Sequence, residues 1–242
     1  MKIVASHQPH FNPYLGYFAK MKASDTFIIS DDVQFVKNGF MHRNKIRSWQ
    51  RVDGWRWLTM PVTYHSDSLV KNVRLAQGAH LDKLLNIVRH EYQTAPHFLQ
   101  TYAYLEALKE DRQSLSFLYF SFLSLGIFGY LMGMIPSVRL ASSLGNDWQR
   151  GDKNGRLIAL TRAVGGDAYL AGAEAARVYL DPKRFADAGI TLLTMEYLNP
   201  EYPQVHGGFM PKMGIIDALM NTGNDARRLL SAEHYRITEM RP

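Results

Sequence analysis

The sequence predicts an α/β protein built on a mainly parallel sheet with helices on both faces. Three observations carry that expectation. Short apolar runs of strand length (residues 3–5, 26–30, 138–141, 168–172 and 190–195) alternate with stretches at helical spacing. Gly, Pro and Asp residues punctuate the junctions. The 242 residues suffice for a sizeable core, and no internal repeat or low-complexity linker divides them. The simplest architecture is one domain over 1–242, with a helical portion around 80–136.

Residues 3–35 read as strand, polar loop, helix, strand and acidic turn. Pro9 and Pro13 keep the loop out of any helix interior or central strand, because proline lacks the backbone donor. Tyr14, Leu15, Phe18 and Met21 then recur at helical spacing. The run 26–30 ends at Asp31-Asp32. A short helix between two strands makes them parallel neighbours. Ligands of such sheets bind beyond the carboxyl ends of the strands. His7, Gln8 and His10 on the first loop, and Asp31, Asp32 and Gln34 on the second, are therefore expected to line one pocket. The plain alternative is an ordinary βαβ unit with a polar rim.

The formal net charge of +6 suits nucleotides, phosphosugars, nucleic acid or an anionic membrane, or else marks only a solvated basic surface. The absence of cysteine excludes disulfides, thiolate catalysis and Cys-based zinc sites. Lys2 runs straight into a strand without a signal-peptide pattern, so a cytoplasmic location is expected.

From 36 to 64, Lys37, Arg43, Lys45, Arg47 and Arg56 interleave with Phe40, Trp49, Trp55 and Trp57. Such a mixture grips phosphate and stacks on a base or sugar, or it is a basic hairpin with tryptophans in the core. Residues 57–62 read as a strand, and 69–75 as another. Helices are expected over 80–93 and 96–108. His80, His90 and His97 lack metal-site spacing and acidic company. The run 115–135 is apolar, uncharged and long enough to span a bilayer. Its dispersed serines and glycines, and the absence of a comparable second segment, favour a buried helix with a bend near Gly126 or Gly129. No membrane insertion is expected.

The loop 145–153 carries Asp147, Arg150, Asp152 and Lys153, and a helix is expected over 154–164. Lys153 at that helix start is a candidate anion seat; the glycine spacing is not that of a Walker loop. The remainder continues as α/β: a helix start at Asp181-Pro182, a helix over 213–220 and a last helix over 226–235.

Several stretches together resemble the WbqC-like proteins: HQPHFNPYLGYFAKM, SDTFIISDDVQFVKNGFMHRNKI, WLTMPV, GGDAYLAGAEAARVYLDPKRFADAGITLL, NPEYPQ and MGIIDALMNTG. The resemblance implies a cytoplasmic bacterial protein linked to surface-polysaccharide or O-antigen synthesis. A weaker resemblance ties Phe11-Asn12-Pro13 and Tyr14-Leu15-Gly16-Tyr17 to the opening of the nucleotidylyltransferase fold, and with it a Rossmann-like architecture. Tyrosines stand where that superfamily has histidines, and a neutral tyrosine cannot supply imidazolium charge.

Two function classes follow. One is a transferase acting on a nucleotide-, sugar- or acyl-activated donor, with a small phosphorylated molecule or nucleotide-sugar as substrate. His7 or Asp32 would be its general base. Arg43, Lys45 and Lys153 would clamp phosphate. Gln8, His10, Asp31, Gln34 and Asn44 would complete the substrate pocket. The other class is a non-catalytic binding protein of the same pathway. Nucleic-acid binding rests on the basic-aromatic segment alone. No cofactor is identified; Asp31-Asp32 would suit a hard cation or a turn cap equally.

Overall fold

The computed structural model describes residues 1–76, 80–110, 115–134, 137–145 and 152–242. Ile135 of the long apolar run, and Asp147 and Arg150 of the loop before Lys153, lie outside the described residues. The chain runs β1 (Ile3–His7), α1 (Leu15–Lys22), β2 (Thr26–Ile29), β3 (Arg43–Arg47), β4 (Trp55–Thr59), β5 (Val62–Thr63) and β6 (Arg74–Leu75). Then come α2 (His80–Tyr92), α3 (Phe98–Glu110), α4 (Phe117–Leu131), β7 (Val138–Leu140), α5 (Lys153–Ala163) and β8 (Ala168–Gly172). The last elements are α6 (Ala173–Tyr179), α7 (Pro182–Asp187), β9 (Thr191–Tyr197), α8 (Ile215–Thr222) and β10 (Tyr235–Glu239).

The central sheet has the order β10-β9-β8-β1-β2-β7. Every neighbouring pair is parallel except β10 with β9, which is antiparallel. Strand alternation sorts the side chains onto two faces. Ala5, Phe27, Ile29, Leu170, Leu193 and Met195 face a large core shared with α1, α2, α3, α4 and α8. Val4, Ile28, Tyr169, Ala171 and Leu192 face the other way, into smaller clusters closed by α5, α6 and α7. Both faces are thus covered, which is why β1, β2 and β8 read as near-continuous apolar runs.

Three expectations are corrected. The segment 226–235 is not an α-helix: Gly223–Leu230 is a 3₁₀ helix that buries Ala226, Leu229 and Leu230, and Tyr235–Glu239 becomes the edge strand β10. The helical spacing of the apolar residues is real, but the β-branched Ile237 and Thr238 sit where β9 offers an open edge. The segment 69–75 holds a 3₁₀ turn over Val70–Asn72 and only two strand residues. The helix α4 runs through Gly126 and Gly129 as one element, capped by Ser116, whose hydroxyl accepts from the Tyr119 N–H. It is half-buried rather than buried: Tyr119, Phe122 and Tyr130 are 40%, 46% and 74% exposed on one face. No described helix is long and apolar enough to cross a membrane.

Candidate functional site

The strand order locates the site. From β1 the chain moves outward through β2 to β7, then returns to β8 on the other side of β1 and moves outward again to β9. The order therefore reverses between β1 and β8. The helices leaving those two strands, α1 and α6, go to opposite faces of the sheet, and their departure opens a crevice at the carboxyl edge. A cleft of about 740 Å³ lies there. His7, Gln8 and His10 contribute from the β1 end, Gly172 through Ala175 and Arg177 from the β8 end, and Met195, Glu196, Tyr197 and Asn199 from the β9 end. Phe40, Asn44 and Lys45 close one side, and Lys212 another.

The floor is a packed layer of rings. His7 meets His10 edge-on with centroids 4.6 Å apart, and both lie against Tyr17, at 4.8 and 5.4 Å. Tyr17 donates its hydroxyl to the Gln8 carbonyl at 3.2 Å. The His7 Nδ1 lies 3.2 Å from the same carbonyl. A carbonyl can only accept, so this contact assigns the proton to Nδ1 and leaves Nε2 as the acceptor. Burial, with the nearby Lys20 charge, holds both imidazoles neutral: His7 is pushed well below its usual range and His10 to about 3. The His10 Nδ1 is buried and makes no hydrogen bond among the described residues.

The rim is charged. The Lys45 ammonium sits 4.1 Å from the centre of the Trp55 ring, and Lys212 faces Glu174 across the mouth at 3.7 Å. Two rim residues, Asn199 (φ 51°) and Lys212 (φ 60°), hold left-handed backbone conformations. Such conformations are disfavoured for a lysine and persist only where the surroundings impose them. Asn12 (φ 72°) is the tie behind this rim. Its Oδ1 accepts from the Ile216 N–H at 3.0 Å and its carbonyl from the Asn44 side chain at 2.8 Å, so one residue joins the first loop, the hairpin and α8. A Cβ on Gly214 would fall 2.2 Å from the Asn12 side chain.

Two buried carboxylates brace the walls. Asp217 on α8 accepts from the Tyr92 hydroxyl at 2.6 Å, the Tyr202 hydroxyl at 2.7 Å and the Gln204 amide at 2.9 Å. Burial raises its pKa despite those donors. Glu91 on α2 accepts from the Ser48 hydroxyl at 3.0 Å and from Arg56 at 3.3 Å. Together they fasten the β3–β4 hairpin and the loop carrying Tyr202 and Gln204 to the helical core.

The residues singled out from the sequence divide into two groups. His7, Gln8, His10, Asn44 and Lys45 line the cleft. Asp31, Asp32, Gln34, Arg43 and Lys153 do not, so the cleft that holds His7 does not extend to the acidic turn. Asp31 instead accepts from the Ser142 N–H at 2.9 Å and from its hydroxyl, capping the turn after β7. Asp32 pairs with Arg156 of α5 at 2.7 Å. Gln34 donates to the Ser66 carbonyl at 3.0 Å. Arg43 donates to the Asn38 carbonyl and lies 4.3 Å from the Trp57 ring centre. Lys153 sits 3.5 Å over the Tyr179 ring, and the α5 start beside it is already capped by Asp152, which accepts from the Gly155 N–H at 3.0 Å and pairs with Arg184. Of the two tyrosines in the histidine places, Tyr14 lines the cleft and Tyr17 is buried beneath it. Among the described residues no three His, Cys, Asp or Glu side chains gather as a metal site.

Sequence reading missed Tyr14, Glu174, Arg177, Glu196, Asn199 and Lys212 as site residues. The signal for 172–177 was present: Ala168–Gly172 is an apolar run ending at glycine before a helix, the same strand-end pattern that drew attention to His7.

The family model of the WbqC-like protein family matches residues 8–229, nearly the whole chain. The chain belongs to the WbqC-like protein family. A Mycobacterium tuberculosis (strain ATCC 25618 / H37Rv) relative, described as uncharacterized protein Rv1507c, is 33% identical over 237 residues, covering 93% of this WbqC-like chain and 96% of its own. No solved structure matches this WbqC-like protein.

Proposed function

We propose that this WbqC-like protein is a transferase of bacterial surface-polysaccharide synthesis, acting in the cytoplasm on a nucleotide-, sugar- or acyl-activated donor in the switch-point cleft. One observation carries the reading: a neutral imidazole with a free acceptor nitrogen, His7, stands at the carboxyl edge of β1 in a cleft rimmed by Lys45, Arg177 and Lys212. A neutral imidazole keeps a lone pair that can take a proton from an acceptor hydroxyl or amine, and the phosphate of a bound donor would raise its depressed basicity toward the working pH. The rim cations suit the phosphate of an activated donor. Strand order and cleft position also support the Rossmann-like architecture. Asp32, tied to Arg156, serves the fold in this reading.

The binding-protein alternative is favoured by one feature: among the described residues the His7 ring nitrogens are met by the Gln8 carbonyl, and no carboxylate orients the ring. Thermal-shift screening against nucleotides, nucleotide-sugars and acyl donors, followed by turnover assays, separates the two. Turnover lost in His7→Asn with binding retained supports the transferase. Ligand stabilisation of the wild type with no turnover of any donor replaces it with the binding protein.

A further inference from the structure

Lys20 is a buried charge that the proposed chemistry leaves unused. It lies on α1 one turn beyond Tyr17, is 7% exposed, and donates from Nζ to the Ser6 carbonyl at 2.9 Å. Its other close neighbour is the Phe27 ring, whose centre is 5.9 Å away. No carboxylate among the described residues pairs with it. Burial alone lowers its pKa, to about 8, so the ammonium remains charged at neutral pH. The titratable groups that feel this charge are His7 on β1 and His10 in the following loop, both cleft residues and both held neutral partly by it. A buried cation without a counter-ion is a standing penalty on the fold. Beside it lies a second unmet requirement: His10 is 7% exposed, lines the cleft, and its Nδ1 has no partner among the described residues. Buried polar nitrogens are ordinarily bonded. An anion against the His7–His10 layer answers the first requirement by supplying a counter-charge, and the second once the His10 ring turns over to bring Nδ1, closed off from solvent in the ligand-free chain, to the cleft surface as a donor.

We propose that the cleft floor is a phosphoryl-dianion site, with Lys20 as its fixed counter-charge behind the ring layer and His10 as a direct ligand. This rests on the reading of the cleft as the substrate site and names the group that seats at its base. The rim cations attract anions too, but they are exposed or half-exposed and screened by salt. Lys20 is shielded from salt, so its share of the attraction persists where theirs fades.

Calorimetric titration of the full chain with inorganic pyrophosphate tests this, at low salt and in 0.5 M NaCl. Lys20→Met is expected to weaken binding about tenfold or more in both, the scale of one charge-assisted contact, while Lys212→Gln weakens it mainly at low salt. The ligand-free Lys20→Met protein is expected to melt at or above the wild-type temperature, because an unpaired buried charge has been removed. Wild-type affinity in Lys20→Met overturns the dianion floor and leaves the cleft reading standing. A wild type that ignores pyrophosphate yet shows His7-dependent turnover does the same. If neither Lys20→Met nor Lys20→Gln folds, Lys20 serves the core and the proposal is wrong.

Discussion

Replacing His10 with Phe should remove a defined share of the protein's acid sensitivity. His10 is neutral in the fold down to a pKa of about 3, whereas in the unfolded chain a histidine titrates near 6.5. A base whose folded pKa is depressed contributes stability above the unfolded value and loses it as pH falls below that value. Between pH 7 and pH 5 the unfolded chain goes from about a quarter protonated to almost fully protonated at this position, and the fold gains almost nothing. Linkage converts that difference into about 2 kcal/mol of lost stability. His7 acts in the same direction. Asp217, an acid whose folded pKa is raised, acts in the opposite one, since its ionised form is penalised and low pH relieves it. Asp217 is present in wild type and variant and cancels; His7 is held down partly by His10, so its acid sensitivity falls with the substitution, in the same direction as the loss of His10 itself. Phe keeps a ring against His7 and Tyr17 and discards the unpaired Nδ1, so stability at pH 7 should hold or rise. Urea unfolding of both proteins at pH 7 and pH 5 measures the two differences. If His10→Phe loses as much stability on acidification as the wild type, the neutral-histidine floor is wrong.

Other substitutions test the frame around the cleft. Asp217→Ala strands two buried tyrosine hydroxyls and an amide, and should cost about 3–5 kcal/mol in urea unfolding; a loss under 1 kcal/mol would mean the network is not bracing the loop. Gly214→Ala forces a methyl into the Asn12 side chain and should destabilise by about 2 kcal/mol, with weaker pyrophosphate binding because both walls shift; unchanged stability and binding would refute the tie. Lys212→Gly should raise stability by about 1 kcal/mol by relieving its left-handed backbone, yet weaken pyrophosphate binding at low salt. A drop in stability would show that the lysine side chain, not the strain, dominates there.

The sheet was largely legible because its strands are covered on both faces. Runs such as Thr26–Ile29 and Ala168–Gly172 announce themselves without alternation to decode. The edge strand β10 was not, since Ala226, Leu229 and Leu230 carry a helical spacing that a 3₁₀ helix also satisfies. At the site, the first loop could be read because His7 ends a strand and His10 follows it within three residues. Its partner could not: residue spacing makes β1 and β2 neighbours but says nothing about which later strand takes the other side of β1. That side belongs to β8, so the cleft pairs His7 with Glu174 and Lys212 rather than with Asp31 and Asp32. The acidic turn looked functional for a sound reason, its position at the strand edge, and is absorbed by Ser142 and Arg156, which approach from beyond residue 137.

The placement of β1 also sets a timetable for synthesis. One edge of β1 pairs with β2, whose first residue follows Ile3 closely; the other waits for Ala168. At about 5–20 residues per second, a ribosome needs on the order of 10–30 seconds to deliver β8 after β1. Through that interval the nascent protein holds a strand of bare amides and carbonyls, the kind of surface that recruits another chain. Neighbouring polysomes translating the same message would present the same unfilled edge to one another. The switch point that creates the cleft in the finished molecule thus leaves one edge of its first strand unpaired until β8 is made, and makes any chain halted before residue 168 a template for misassembly.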